Sequence, residues 1–260
     1  MKAITYLAPG IPLGLYTTLV RQLTDALGEP IELTSDARFS GPSADEANPL
    51  IDGDFDLAFI CGPSYLRLAD QVQLVPAAPV FDDPRTQGRP EYFAEVVVAA
   101  DRTERSVHEL TDARFAYNDP ASLSGRLAVL AHLGSMAPPQ FAGMAQSGST
   151  EASLELISTG LADVCSVDSD VWRRLTSERP ELLRCFRVLE SLGPFPIQAV
   201  VASHRLGAQR FQVVAATLLS LGQFELGRFG VIGFAPASAD DYLPLAAFLA
   251  CLAHQPGGHK

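Results

Sequence analysis

Two β-rich segments of closely similar character, 91–100 (EYFAEVVVAA) and 196–203 (PIQAVVAS), constrain this chain more than any other feature. They enclose everything from Asp101 to Pro194, and the enclosed stretch carries its own alternation of strand and helix patterns. An inserted α/β unit inside an outer α/β unit follows, with residues 1–94 and 198–260 expected in the outer lobe and 95–197 in the inner one. The chain would leave and return through extended segments, so 93–99 and 195–201 are the expected hinges. A hydrophobic content of 47% in 260 residues is enough for two such cores.

The outer part opens with a strand at 3–8 and a loop, Pro9-Gly10-Ile11-Pro12-Leu13-Gly14. A helix at 16–27 follows, marked by Leu15, Leu19, Leu23 and Leu27 at four-residue spacing and stopped by Gly28; a second strand is expected at 30–33. A β-α-β order of this kind places Gly10 at the carboxyl edge of a parallel sheet, where α/β proteins put ligands. Residues 34–50, polar and small, read as an irregular connection. A buried strand at 54–61 then stops at Gly62-Pro63, and a helix carries Tyr65 on its first turn, as a wall of a ligand site or as an aromatic at the edge of the core. One strand is expected over 72–80, a charged loop over 82–90, and helices over 208–221 and 239–253 that pack on the outer unit.

In the inner part a strand at 114–117 breaks at Pro120 and a helix is expected over 123–134. Ser122 and Ser124 are good N-cap types, and Gly125 leaves the backbone open to close approach. The first N–H groups of a helix lack internal acceptors and carry the positive end of its dipole, so an oxyanion can sit there without a charged side chain. The same residues also read as a plain helix cap. A connection through Pro138-Pro139 leads to a second polar turn, Ser147-Gly148-Ser149-Thr150, before a helix at 151–160. Asp168 ends a strand at 162–167, where it either holds a ligand's cationic or hydroxyl group or caps a helix at 169–176. A last strand is expected at 184–189.

A formal charge of −11 repels nucleic acid and anionic membrane, so any anion site must be local and neither partner is expected. No apolar run reaches the roughly 18 to 20 residues needed to span a bilayer. Cys61, Cys165, Cys185 and Cys251 are far apart among apolar neighbours and read as buried free thiols. The five histidines are scattered, without HExxH, and there is no GxSxG, GxGxxG or Walker A sequence. No catalytic residue, metal or cofactor is therefore expected. The first residues run straight into a strand, so a cytoplasmic chain is expected from the sequence as it stands, and a periplasmic one if a leader precedes it.

Four stretches, 54–66 (DFDLAFICGPSYL), 115–127 (FAYNDPASLSGRL), 147–165 (SGSTEASLELISTGLADVC) and 167–170 (VDSD), resemble the PhnD-type phosphate, phosphite and phosphonate-binding proteins of ABC transporters. The resemblance covers roughly residues 1–220. It implies a two-lobed type II periplasmic-binding-protein fold, each lobe a mostly parallel sheet flanked by helices, joined by two hinge strands and closing on a small phosphonate-like anion, with a transporter permease as partner. Carried over, it makes Tyr65 a pocket wall and Ser122, Ser124 and Gly125 the oxyanion cradle. It places Ser149 and Thr150 in a second helix-start loop and Asp168 at the ligand's other end; Gly10 joins the expected ligand-binding residues through its place at the sheet edge and not through the resemblance. Two positions depart from the pattern: Thr150 stands where many members have histidine, and 34–50 lacks their tyrosine-bearing segment. The alternative is a cytosolic enzyme on the same fold, similar to menaquinone- or thiamine-pyrimidine-pathway proteins. Against it stands the lack of any paired catalytic groups. A regulatory ligand-binding subunit is a third reading.

Overall fold

The computed structural model describes residues 1–8, 10–36, 40–42 and 49–253. Pro9 of the first loop, the middle of the 34–50 connection, His254, His259 and the tail at 256–260 lie outside the described residues. In chain order the elements are β1 (Lys2–Thr5), α1 (Leu13–Leu27), β2 (Glu32–Ser35), α2 (Pro49–Asp52), β3 (Leu57–Ile60), α3 (Gly62–Leu68), β4 (Gln73–Leu74), β5 (Ala78–Phe81) and β6 (Glu91–Ala99). They continue with β7 (Ala113–Tyr117), a π-helical turn (Leu123–Leu127) running into α4 (Ala128–His132), β8 (Phe141–Gln146), α5 (Thr150–Ser158), β9 (Val164–Asp168), α6 (Ser169–Glu178) and α7 (Leu182–Cys185). The last are β10 (Phe186–Pro196), β11 (Ala199–Ala202), α8 (Ala208–Ser220), α9 (Gln223–Leu226), β12 (Val231–Ala235) and α10 (Leu243–Ala253).

Contacts divide the chain into an outer unit, Met1–Tyr92 with Phe195–Tyr242, and an inner unit, Phe93–Pro194 with the segment from Leu243. The outer sheet has the order β2-β1-β3-β11-β4, with β1 parallel to β2 and β3, and β11 antiparallel to β3 and β4. Its helix α1 buries Leu15, Leu19 and Leu23, the spacing expected of an amphipathic helix, and ends where Gly28 takes φ 69° and donates its N–H to Thr24 O at 2.9 Å. A core of Ile4, Tyr6, Ile60, Leu68, Val201 and Tyr242 lies against this sheet.

The inner sheet has the order β10-β6-β9-β7-β8; β7 is parallel to β8 and β9, and β6 is antiparallel to β9. Val96, Val98, Phe115 and Val164 are fully buried in it. The chain passes between the units inside β6 and inside β10, and a third time after Tyr242.

Four expectations change. The strand over 72–80 is two strands in different sheets, because Pro76 has no N–H to continue the ladder that ends with Val75 N donating to Val200 O at 2.9 Å. A strand that had read as mere connection, β8, forms the edge of the inner sheet. Helix α10 groups with the inner unit, where it packs on α4 and the Cys251 thiol donates to Ala131 O at 3.6 Å, instead of lying on the outer one. Only Cys61 and Cys165 are buried, Cys165 with its thiol pKa pushed up by desolvation, while Cys185 and Cys251 are exposed.

Candidate functional site

Parallel pairing decides where the candidate residues lie. Since β8, β7 and β9 run in one direction, their last residues, Gln146, Tyr117 and Asp168, lie at the same edge of the inner sheet. Each strand there gives way to a helix, so three helix N-termini share one edge, each bringing N–H groups with no acceptor inside its own helix. The loops after β7 and β8 are also stitched together. Ser147 N donates to Tyr117 O at 2.8 Å and Gly148 N to Asn118 O at 3.1 Å, with Gly148 at φ 89°, a conformation that favours glycine. The Ser147 hydroxyl lies within 3.1 Å of Tyr117 O, 3.0 Å of Ser149 O and 2.7 Å of Ser153 Oγ, so this serine is a brace.

Each start is capped by a side chain. Ser122 Oγ accepts from Gly125 N at 3.1 Å, Ser149 Oγ from Ala152 N at 3.1 Å, and Asp168 Oδ1 from Asp170 N at 2.8 Å. The capping role foreseen for Asp168 is therefore filled. Other groups at the same edge are left over. Ser124 is buried, yet its hydroxyl has no hydrogen bond among the described residues, and neither does that of half-buried Thr150. The N–H groups of Leu123, Ser124, Thr150 and Glu151 likewise find no acceptor among the described residues.

Gly125 differs from the expectation. Its backbone is not in the left-handed region, and the space beside it is filled by a neighbour. A Cβ added there would lie 1.8 Å from Asn118 Oδ1 and 2.9 Å from Ser122 Oγ. Asn118 Nδ2 donates to Asp119 Oδ2 at 3.3 Å, which fixes the amide with its oxygen over Gly125. Glycine is required here by the asparagine.

Arg126 was not among the candidate residues read from the sequence. Its guanidinium lies 5.0 Å from the Tyr117 ring centroid, and Nη1 donates to Pro120 O at 3.1 Å. A positive charge is thus held on the turn that carries Ser122 and Ser124. The signal was present in the run Ser-Gly-Arg, but only the folded turn brings the side chain back over 117–120.

Gly10 and Tyr65 belong to the outer unit. Gly10 is half-buried in the turn after β1. Tyr65 is 4% exposed, its ring packed edge-on against Tyr242 with centroids 4.7 Å apart, and burial raises its phenol pKa. Its ring is part of the core cluster. Among the described residues there is no group of three or more potential ligands able to hold a metal ion, and no helix is long and apolar enough to cross a membrane.

A family model described as the periplasmic substrate-binding protein of phosphonate ABC transporters matches residues 14–242. No curated protein matches the chain. Among solved structures, a binding-protein component of an ABC phosphonate transporter from Pseudomonas aeruginosa is similar at 15% identity and TM-score 0.79, over 95% of this chain and 84% of that one. PhnD1 from Prochlorococcus marinus in complex with methylphosphonate is similar at 16% identity and TM-score 0.76, over 95% and 96%. A Xanthomonas citri protein bound to ATP follows at 17% identity and TM-score 0.71, over 96% of each chain. At these identities the structures show the fold, mixed α/β with mostly parallel sheets flanked by helices, of the type II periplasmic-binding kind.

Proposed function

Because the chain belongs to the family of phosphonate ABC-transporter substrate-binding proteins, we propose that it binds a small phosphonate-like or phosphate-like oxyanion at the carboxyl edge of the inner sheet. The observation that carries this reading is the set of donors left over after capping: the Ser124 and Thr150 hydroxyls and the first N–H groups of two neighbouring helices. A cap satisfies only one or two of the first N–H groups of a helix; the buried Ser124 hydroxyl, without a partner among the described residues, is what capping alone leaves unexplained. In this proposal Ser124 and Thr150 donate to the anion, the Leu123 and Ser124 N–H groups add dipole-assisted bonds, and Ser122, Ser149 and Asp168 hold the loops in shape. Gly125 serves the cradle through Asn118. The proposal extends to delivery of the ligand to a transporter permease, on the strength of the family match.

Calorimetry with phosphate, phosphite, methylphosphonate and 2-aminoethylphosphonate tests the reading. Heat is expected with at least one of them. Ser124→Ala is expected to weaken that binding roughly tenfold to hundredfold, the worth of a hydrogen bond to a charged acceptor, with the melting temperature unchanged. No heat with any of the four, or a Ser124→Ala variant that binds as well as the parent, would sink it.

A further inference from the structure

The three helix starts at the inner sheet edge are not electrostatically alike. Helix α5 carries Glu151 in its first turn and α6 carries Asp170, acids where the positive end of the dipole favours them. The start after Ser122 has no acid, and its fourth helical residue is Arg126. This helical stretch runs for ten residues, Leu123 to His132, with nothing to break it between the π turn and α4. A cation near the positive end of such a stretch is destabilising. Arg126 is also without a carboxylate partner among the described residues, and its Nε is inaccessible to solvent with no acceptor. The turn's own buried carboxylate, Asp119, accepts from Ala121 N and Asn118 Nδ2 and forms no ion pair with Arg126; a guanidinium without a carboxylate, an Nε donor left unmade and a dipole of the same sign point to a ligand's negative charge here.

Building on the oxyanion reading above, we propose that Arg126 is a specificity-determining residue that makes this cradle select the doubly ionised form of its ligand. Backbone N–H groups and hydroxyls supply only partial charges, so the preference they give a doubly over a singly charged oxyanion is smaller than the one a full positive charge adds. A guanidinium held on the same turn by Pro120 O and the Tyr117 ring adds a fixed formal charge whose attraction to the ligand grows with the ligand's second ionisation. The substrate class is then a phosphonate or phosphate monoester-like dianion; singly charged anions of similar size are poor ligands.

Calorimetric titration of methylphosphonate at one pH below and one above its second ionisation reads this directly, using the parent chain, Arg126→Gln and Arg126→Lys. The parent is expected to bind more tightly at the higher pH. Arg126→Gln should lose roughly tenfold to hundredfold there and much less at the lower pH, whereas Arg126→Lys keeps the pH slope. The melting temperature of ligand-free Arg126→Gln should stay level or rise, since a repulsive charge has been removed; a purely structural arginine would lower it. Equal affinity of parent and Arg126→Gln at both pH values overturns the inference while leaving the oxyanion reading intact. Absence of heat for the parent at both overturns the two together.

Discussion

The outer and inner units share a plan and differ in how they finish it. Read from the opposite edge, the inner sheet is β8-β7-β9-β6-β10, against β2-β1-β3-β11-β4 in the outer one. In each, one strand, β1 or β7, lies between two parallel neighbours, and the fourth place is taken by an antiparallel strand from one of the two similar segments, β6 or β11. The helix starts at the two carboxyl edges are treated differently. In the outer unit α1 follows Pro12 and α3 follows Cys61, and neither residue caps with its side chain. In the inner unit all three starts are capped, by Ser122, Ser149 and Asp168, and hydroxyls remain beyond the caps. One fold plan thus yields one edge whose helix starts lack side-chain caps and another whose starts are capped and keep spare hydroxyls. The difference is carried by a few loop residues and not by the sheets.

The sharpest way to break this contrast is to attack each unit at its own kind of residue. Tyr65→Ala removes a ring from the outer core and is expected to cost about 3–5 kcal/mol of stability, the largest effect considered, read by thermal or denaturant unfolding. A small loss of stability with a large loss of ligand affinity would instead return Tyr65 to a ligand wall.

Gly125→Ala comes next, at about 1–3 kcal/mol, because the new methyl group meets the Asn118 amide. Asn118→Gly in the same chain should restore most of the loss. Gly28→Ala in the outer unit is its control: with φ 69° and no atom near the new Cβ, it should cost only about 1 kcal/mol and no partner mutation should rescue it.

The caps follow. Ser149→Ala and Ser122→Ala are each expected to cost about 1 kcal/mol in unfolding experiments, whereas Cys61→Ala has no cap bond to lose.

The smallest effect concerns pH. Asp163 accepts from Arg114 Nε at 2.8 Å and Nη2 at 3.1 Å, and these bonds hold its carboxyl below the usual carboxylate range. A depressed folded-state pKa means the contribution is present above the unfolded value of about 3.9 and is lost as pH falls through the lower folded value. Since the pair is partly exposed, the contribution is expected to be below about 1 kcal/mol. Asp163→Asn should flatten the acid limb of the stability profile slightly; an unchanged limb would remove this pair from the account.

What could be read from the chain itself was local or periodic. Leucines four apart with Gly28 behind them specify α1, buried β-branched runs specify β6 and β11, and a Ser-rich turn before an apolar run specifies each inner helix start, because spacing and capping depend on neighbours within a few residues. The segment Phe141–Gln146, rich in Ala and Gly and largely exposed, has no such signal; it is a strand only because β7 offers it a parallel edge. Helix α10 is apolar nearly all round, so no stripe chooses its partner, and packing on α4 does. The same holds at the candidate site. Serines at helix starts were legible as caps or cradle, but which hydroxyls remain unspent, why Gly125 must be glycine, and where Arg126 lays its charge depend on side chains meeting across a folded turn, a distance the linear spacing of residues does not encode.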